Sequence, residues 1–290
     1  MKTTTLGNTT RDVSAIGFGA MHFSLANRPP EAQSLDVLHR VLDLGVTFID
    51  TADAYCRDET DKHHNERIVH KALATYPGDT SRVVVATKGG CMRPGGSWTT
   101  NGNPDRLRRT IRESHAALGG DRPIMLWQHH AIDPNYPVEV SLEPVWEAVQ
   151  EGLIRFVGVS NYSVEQIKRA QEVVEVVSVQ NQYSPWHRRP EHNGVLDYCE
   201  EEGLTFLPWS PLGGRSRAKR LGQIDALATL AREKDVSPQR LVIAWLMARS
   251  PCILPIPGSS RRANAEDLLA AVDVTLSREE VQRIDNAVSG

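Results

Sequence analysis

The segment VTFIDTADAY, residues 46–55, joins a short apolar run to a cluster of polar side chains and sets the pattern for the whole chain. Val46–Asp50 predicts a β-strand because its residues are mainly apolar or β-branched, so Thr51–Tyr55 lies at the carboxyl end of that strand. Along the chain, short apolar runs alternate with longer amphipathic stretches, which is typical of βαβ units with a parallel sheet. The sequence therefore predicts an α/β fold.

Eight segments predict strands of this sheet, and each is followed by a predicted helix. The predicted strands are Ala15–Phe18, Val46–Asp50, Val83–Thr87, Ile124–Gln128, Phe156–Val159, Val176–Val179, Thr205–Leu207 and Ile253–Ile256. The predicted helices are Glu31–Leu44, Asn65–Thr75, Pro104–Leu118, Val140–Glu151, Val164–Val173, Gly194–Glu202, Ile224–Glu233 with Pro238–Ala248, and Ala263–Ala271. Eight such units close naturally into a (β/α)8 (TIM) barrel, although an open doubly wound sheet has the same pattern.

Further elements are predicted at the two ends of the chain. Thr3–Leu6 and Asp12–Ser14 flank Gly7–Asn8, which predicts an N-terminal β-hairpin, and Ser277–Ala287 predicts an extra C-terminal helix. Arg57–His64 and Gly213–Gly222 have the composition of loops. Because no linker-like change in composition divides the chain, we expect residues 1–290 to form a single domain.

Composition excludes several classes of partner. The net charge of −3 and the pI near 6.4 give no basic surface for nucleic acid, and no long apolar run predicts a membrane partner. The N-terminal residues lack the apolar core of a signal peptide. The four cysteines are scattered, which indicates neither a disulfide framework nor a structural zinc site. We expect a cytoplasmic protein without a metal, and the sequence does not indicate its oligomeric state.

Reactive groups of a (β/α)8 barrel lie at the carboxyl ends of its strands, where this sequence places several polar residues. Reduction of a carbonyl requires a hydride donor and a proton for the carbonyl oxygen. Tyr55 can supply that proton if its pKa falls toward the working pH, and a neighbouring Lys88 ammonium held by Asp50 is expected to lower it. His129 is expected to orient the carbonyl oxygen. His130 is expected to point to the other side of the strand end and to have a supporting role.

Four motifs in this order resemble those of the aldo-keto reductase superfamily: FIDTADAY, the Thr-Lys of VVVATKGG, the Gln-His of WQHH, and GVSNYS. The resemblance extends from about Ala15 to Asp285. It implies a catalytic tetrad of Asp50, Tyr55, Lys88 and His129, a small-molecule carbonyl substrate and reduction with NADPH. The chain resembles the compact bacterial members of the family, and relatives with this length and a Pro-Leu-Gly-Gly segment include the pyridoxal reductases.

The resemblance also implies that NADPH binds across the barrel mouth, although the sequence has no G-x-G-x-x-G motif. Ser160, Asn161 and Gln180 would hold the carboxamide, and Trp209 would stack on the nicotinamide ring. The segment IPGSSRR resembles the phosphate-binding segment of the family, in which Ser259, Ser260, Arg261 and Arg262 would contact the 2′-phosphate. The remaining candidate contacts are Gly19, Ala20, Met21, Asp50, Ser210, Pro211, Leu212, Gly214, Ile256 and Gly258.

Two features depart from the family pattern. Tyr55 is followed by Cys56 and by the insertion RDETDKHH, which we expect to border the substrate, and Asp267-Leu268 replaces the usual Glu-Asn near the adenine. Two other functions remain open at this point. The same fold serves as an NADPH-sensing regulatory subunit with little turnover. A metal-dependent barrel hydrolase using Asp50, His129 and His130 is also possible, but it would lack an H-x-H motif after the first strand.

Overall fold

The computed structural model of the chain describes residues 1–288. Short strands alternate with helices along most of this length, as the sequence predicts. The strands, in chain order, are β1 (Thr3–Thr5), β2 (Asp12–Ser14), β3 (Phe18–Gly19), β4 (Phe48–Asp50), β5 (Val84–Gly89), β6 (Cys91–Met92), β7 (Thr99–Thr100), β8 (Ile124–His129), β9 (Ile154–Ser160), β10 (Val176–Gln180) and β11 (Thr205–Phe206).

Seven of these strands form one parallel sheet, which curls into an α/β barrel with helices around it. The strands pair in the order β3, β4, β5, β8, β9, β10 and β11, so neighbours along the chain are neighbours in the sheet. Asp50 of β4 pairs with Ala86 of β5, and Lys88 of β5 pairs with Gln128 of β8. Because paired residues of parallel strands point to the same face, this register decides which side chains reach the barrel interior.

The predicted eighth strand, Ile253–Ile256, is not a strand in the structure. The segment closes the barrel between β11 and β3, where Leu254 donates to the carbonyl of Phe206. Pro255 and Pro257 accept hydrogen bonds from the amides of Gly17 and Gly19. Proline has no N–H to donate in return, so the hydrogen-bond ladder between β3 and this segment is only half formed. We call this line of contact the seam.

The N-terminal hairpin predicted from the sequence closes the amino end of the barrel. Strands β1 and β2 pair antiparallel, and Leu6 and Val13 are buried in one apolar cluster with barrel residues such as Phe48 and Val177. The amide of Gly7 donates to Thr205 Oγ1 at 2.6 Å. With this end closed, access to the barrel interior is from the carboxyl ends of the strands.

The helices agree with the predicted ones to within one or two residues at most ends, because glycines and N-cap residues mark the ends in the sequence. Ser237, for example, accepts from the amide of Arg240 at the start of its helix. The helices are α1 (Glu31–Asp43), α2 (His64–Thr75), α3 (Pro104–Ala117), α4 (Val138–Gln150), α5 (Val164–Gln171), α6 (Arg189–His192), α7 (Val195–Glu201), α8 (Arg215–Ala218), α9 (Asp225–Glu233), α10 (Pro238–Arg249), α11 (Arg262–Leu269) and α12 (Arg278–Val288).

Both segments predicted to be loops contain helical turns. Glu59–Asp61 forms a 3-10 helix inside the insertion, and α8 is followed by a second 3-10 helix at Leu221–Gln223. The Asp58 side chain accepts from the amide of Thr60 and so caps the first turn. The charged composition of the segment favours a loop instead. Within residues 1–288, no helix combines the length and the hydropathy needed to cross a membrane.

Candidate active site

Lys88 lies at the centre of a buried group of polar side chains at the carboxyl ends of β4 and β5. Its ammonium donates to Asp50 Oδ2 at 2.8 Å, to the Thr51 carbonyl at 2.8 Å and to the Tyr55 phenol oxygen at 3.0 Å. An ammonium has three N–H groups, so this one is fully used. The structure therefore brings together Asp50, Tyr55 and Lys88, three of the four predicted catalytic residues.

Strand register and a tight turn produce this arrangement. Lys88 is two residues beyond Ala86, the partner of Asp50, so the two charged side chains point to the same face of the sheet. The chain then turns back over the strand end, where the amide of Asp53 donates to the Lys88 carbonyl and the amide of Tyr55 to the Ala52 carbonyl. The short spacing between Asp50 and Tyr55 therefore carries the phenol to the ammonium.

The pKa values in this group are set mainly by burial. Burial lowers the pKa of Lys88, and the nearby Asp50 carboxylate acts in the opposite direction. Burial, with the Asp50 charge second, raises the pKa of Tyr55 well above its ordinary value. The expectation that the pKa of Tyr55 is lowered is therefore wrong for this structure. The phenol keeps its proton at neutral pH, and because its oxygen accepts from Lys88, its O–H remains available to donate.

The two adjacent histidines at the end of β8 point to opposite faces, and it is His130 that lies beside Tyr55. Their ring centroids are 5.8 Å apart at an interplanar angle of 81°. His129 pairs with Gly89 in the sheet, whereas Lys88 pairs with Gln128, so the side chain of His129 points away from the barrel interior.

His129 is buried in the barrel wall instead. A hydrogen bond of 2.6 Å joins its Nδ1 to the Tyr162 hydroxyl, and its ring stacks on Trp127. The predicted carbonyl-orienting role of His129 is therefore contradicted by this placement. The expectation that His130 points away from the reaction centre is wrong for the same reason. The hydrolase hypothesis also fails on geometry, because its two histidines do not converge.

Both imidazoles are neutral at physiological pH. Burial lowers the pKa of His129 to about 4. Burial and the positive charge of Lys88 lower the pKa of His130 well below its ordinary value. A neutral imidazole has one N–H donor and one acceptor nitrogen. His130 therefore offers a hydrogen-bond donor without a charge, next to the Tyr55 ring.

A short hairpin, β6 and β7 with the connection between them, forms one wall of the barrel mouth. Cys91 pairs with Thr100 and Met92 with Thr99. The Trp98 ring lies 6.3 Å from the Tyr55 ring and 6.0 Å from the His130 ring, both close to edge-on. The sequence does not reveal this hairpin, because its strands have only two residues each and so show no periodic pattern.

The insertion after Tyr55 is held by buried charges. The Lys62 ammonium lies 3.0 Å from Asp53 Oδ2, and His63 contacts Glu66 at 2.6 Å and Glu113 at 3.2 Å. His63 has a left-handed backbone, with φ of 64°. Burial raises the pKa of Asp53 to about 6. Burial acts to lower the pKa of His63, but the contacts with Glu66 and the charge of Asp53 outweigh it and raise that pKa. These contacts tie the insertion to α2 and α3 behind Tyr55.

The predicted carboxamide and ring contacts lie together at the ends of β9 and β10. Asn161 donates to Ser160 Oγ at 3.1 Å and accepts from Trp209 Nε1 at 3.0 Å. Gln180 donates from Nε2 to Asp50 Oδ1 at 2.8 Å, which joins this group to the reaction centre. Asn161 has a φ of 63°, a strained value that is often found at functional sites.

The segment after Ile256 approaches the first strand closely. A Cβ on Gly258 would lie 2.2 Å from the Gly19 carbonyl oxygen, and one on Gly19 would lie 2.9 Å from that of Ile256. Ala20 follows, and its amide donates to the Asp50 carbonyl at 2.8 Å. The predicted contacts Gly19, Ala20, Ile256 and Gly258 therefore meet on one side of the mouth, with Met21 directly after them in a 3-10 helix.

The two predicted phosphate-binding arginines differ in their partners. Arg262 lies 3.3 Å from Asp36 and 3.4 Å from Glu266. The Arg261 side chain is exposed and makes no ion pair or hydrogen bond with residues 1–288, while its amide donates to Ser259 Oγ at 3.1 Å. Ser260 accepts at its carbonyl from the Gln33 side chain. Helix α11 begins directly after Arg261, with unpaired N–H groups in its first turn.

The connection after β11 completes the predicted cofactor side. Ser210 has a φ of 52°, and the chain then turns through Pro211 and Leu212 to Gly213 and Gly214, which also have positive φ. A Cβ on Gly214 would meet nothing within 4 Å, so its backbone faces open space.

These residues fit a nicotinamide dinucleotide. They provide hydroxyl and amide groups beside Asp50, the half-buried Trp209 ring, a close backbone approach at Gly19 and Gly258, and the free Arg261 guanidinium next to a helix N-terminus.

The barrel and its buried aspartate, lysine and tyrosine place the protein among the oxidoreductases that act on carbonyl groups. The model of the aldo/keto reductase family matches residues 15–289. The chain therefore belongs to the aldo/keto reductase family.

Individual relatives agree with this assignment. An uncharacterized oxidoreductase of Schizosaccharomyces pombe is 36% identical over 94% of this chain and 86% of its own length. Pyridoxine 4-dehydrogenase of Escherichia coli is 31% identical over 98% of this chain and 97% of its own. Among solved structures, the holo form of an aldo-keto reductase from Bacillus halodurans has a TM-score of 0.77 and 26% identity, covering 99% of this chain and 96% of that one.

Proposed function

We propose that this protein reduces an aldehyde or ketone to an alcohol with NADPH and that Tyr55 donates the proton. The observation that carries the proposal is the Lys88 ammonium, which bridges the Asp50 carboxylate and the Tyr55 oxygen inside a buried site. A general acid must lie within hydrogen-bond reach of the oxygen that it protonates. Because the Tyr55 oxygen accepts from Lys88, its O–H is left to donate to a substrate carbonyl.

Bound NADPH would supply the hydride to the carbonyl carbon, held by Ser160, Asn161, Gln180, Trp209 and the segment from Ile256 to Arg262. The carbonyl oxygen would accept one hydrogen bond from Tyr55 and one from the neutral His130 ring, which together orient it. As negative charge develops on that oxygen, Tyr55 transfers its proton and the resulting phenolate is stabilised by Lys88. Asp50 keeps the lysine in place and charged.

Replacing Tyr55 with phenylalanine tests this role. We expect Tyr55→Phe to lower kcat for aldehyde reduction by roughly 10³-fold while NADPH binding is retained. Tyr162→Phe is the matched control, because it removes a buried hydroxyl from the other face of the barrel wall. NADPH oxidation with a panel of aldehydes measures the rates, and quenching of tryptophan fluorescence measures cofactor binding.

Full activity in Tyr55→Phe would exclude Tyr55 as the proton donor. Cofactor binding without turnover of any aldehyde by the unmodified protein would instead favour a cofactor-sensing role.

A further inference from the structure

We propose that Arg93 binds a carboxylate on the substrate, so that the preferred substrates are aldehydes that carry a carboxylate group. This inference rests on the proposed reduction and names its substrate class. Arg93 lies in the hairpin connection after β6, above the carboxyl end of β5.

The position of the guanidinium places it beside the reaction centre. The Arg93 Cζ lies 4.3 Å from the centroid of the Trp98 ring. That same ring packs against Tyr55 and His130, the two side chains that would hold the carbonyl oxygen. One indole ring therefore separates the guanidinium from the groups that act on the carbonyl. A carbonyl bound on Tyr55 can carry its remaining atoms along the indole to Arg93.

The Arg93 side chain is 7% exposed and forms no ion pair or hydrogen bond with any residue of the described chain, 1–288. Its Nε is buried without a partner. A buried charge without a partner is costly, and most are paired. An anion supplied by a ligand would satisfy this guanidinium.

Three cations near Arg93 are already paired, unlike Arg93 itself. Lys88 is bonded to Asp50, and Lys62 lies 3.0 Å from Asp53. Arg106, on α3, lies 3.3 Å from Glu59. An anionic substrate group beside Trp98 would therefore find the Arg93 guanidinium, which has no ion pair with residues 1–288.

The acidic groups of Glu59, Cys56 and Cys91 form no ion pair with the Arg93 guanidinium. One carboxylate oxygen of Glu59 accepts from the Arg93 main-chain amide and the other from Arg106, so the contact to Arg93 does not involve its guanidinium. Burial raises the pKa of the Cys56 and Cys91 thiols to about 12, so neither is a thiolate at neutral pH.

Stacking on Trp98 suits the guanidinium for carboxylate binding. A guanidinium that lies over an aromatic face keeps its N–H groups in its own plane, where they can make a bidentate contact with a carboxylate. Contact with the indole also restricts the guanidinium, so less conformational freedom is lost on binding. Lysine cannot reproduce this geometry.

The test compares two aldehydes of matched shape, 4-carboxybenzaldehyde and 4-nitrobenzaldehyde, which differ in charge. The nitro compound is the more reactive electrophile, so a preference for the carboxylate reports binding. We expect Arg93→Met to lower kcat/KM for 4-carboxybenzaldehyde about tenfold to hundredfold and to change that for 4-nitrobenzaldehyde less than about threefold. Arg93→Lys should restore only part of the difference.

Arg57→Met is the matched control, because it removes an exposed charge from the adjacent insertion and should leave the ratio of the two kcat/KM values unchanged. Retained turnover of 4-nitrobenzaldehyde shows that Arg93→Met is folded. Binding of benzoate as a competitive inhibitor of 4-nitrobenzaldehyde reduction should weaken in parallel in the Arg93 variants.

An unchanged ratio in Arg93→Met, with both aldehydes reduced by the unmodified protein, would overturn the role of Arg93 and leave the proposed function intact. If the unmodified protein binds NADPH and reduces neither compound nor any other aldehyde, the proposed function fails, and this inference fails with it.

Discussion

Two regions of the barrel mouth differ in whether their positively charged side chains are paired. At the strand ends, the Lys88 ammonium is saturated by Asp50, Thr51 and Tyr55. In the surrounding loops, the guanidinium groups of Arg93 and Arg261 have no ion pair within residues 1–288. In the proposed mechanism, the paired charges hold the geometry of the reacting groups before any ligand binds. The unpaired charges are the ones that we propose to contact ligands.

The largest effect is expected from removing the charge of Lys88. We expect Lys88→Met to lower kcat by at least about 10³-fold, because Tyr55 loses the ammonium that stabilises its phenolate. We also expect a loss of about 3–5 kcal/mol in the free energy of unfolding, because Asp50 remains buried without a cation. Stopped-flow kinetics and urea denaturation measure the two effects.

The double variant Lys88→Met with Asp50→Asn is the control for Lys88→Met. It should regain much of the stability and none of the activity. Wild-type kcat in Lys88→Met would show that the lysine has only a structural role.

The ion pair of Asp53 with Lys62 lies between the two regions. We expect the free energy of unfolding to depend on pH through the Asp53 carboxyl group. Burial raises the pKa of Asp53 from 3.8 to about 6, so the folded protein binds more protons than the unfolded chain between these values. Stability therefore falls as pH rises through this window, by on the order of 3 kcal/mol. Asp53→Asn does not titrate.

Asp53→Asn should therefore become more stable relative to wild type as the pH rises from about 4 to about 6, as measured by urea denaturation at each pH. Asp58→Asn is a control, because Asp58 is exposed and hydrogen bonding to Thr60 lowers its pKa. A constant difference between wild type and Asp53→Asn across this range would contradict the raised pKa.

The neighbouring residues His129 and His130 allow the same comparison between two adjacent positions of the chain. We expect His130→Ala to lower kcat/KM for an aldehyde about tenfold to hundredfold, because the carbonyl loses a hydrogen-bond donor. His129→Ala should change kcat/KM less than about threefold and lower the free energy of unfolding by about 1–3 kcal/mol, because Tyr162 loses its partner. The reverse ranking in steady-state kinetics would restore the role predicted for His129.

The smallest effect is expected on the cofactor side, where Arg261 and Arg262 provide an internal contrast. Arg261→Ala should raise the Kd for NADPH about tenfold and leave that for NADH nearly unchanged, because only NADPH carries the 2′-phosphate. Arg262→Ala should have a smaller effect, because Asp36 and Glu266 already engage its guanidinium. Equal effects on the two cofactors in fluorescence titrations would remove Arg261 from the phosphate site.

Sequence patterns predicted what depends on local periodicity. Helix ends followed from capping residues such as Ser237, and the meeting of Asp50 with Lys88 followed from the rule that strand ends share one edge. The choice between His129 and His130 depends instead on strand register, which a single strand does not contain. A signal was present, because Trp127 and His129 share one face, and a large indole suits the side that packs against helices.

The substrate side was harder to predict because its contacts join distant segments. The Trp98 ring meets Tyr55 only when the hairpin of β6 and β7 folds over the strand ends. Lys62 meets Asp53 only when the insertion turns back. The raised pKa of Tyr55 likewise follows from burial, which spacing does not reveal. Short-range motifs therefore predicted the residue types of the reaction centre better than its electrostatics.

The incomplete hydrogen bonding between β3 and the segment that contains Pro255 and Pro257 has a consequence for local opening of the barrel. Because Pro255 and Pro257 only accept, the wall between β3 and this segment is joined by fewer bonds than that between β5 and β8. The amides of Gly17 and Gly19 should therefore exchange with deuterium earlier than those of β5. Gly19 and Gly258 lie on the two sides of the seam, where the ladder is incomplete. A dinucleotide that contacts both residues should therefore hold the two segments together and slow deuterium exchange of the Gly17 and Gly19 amides.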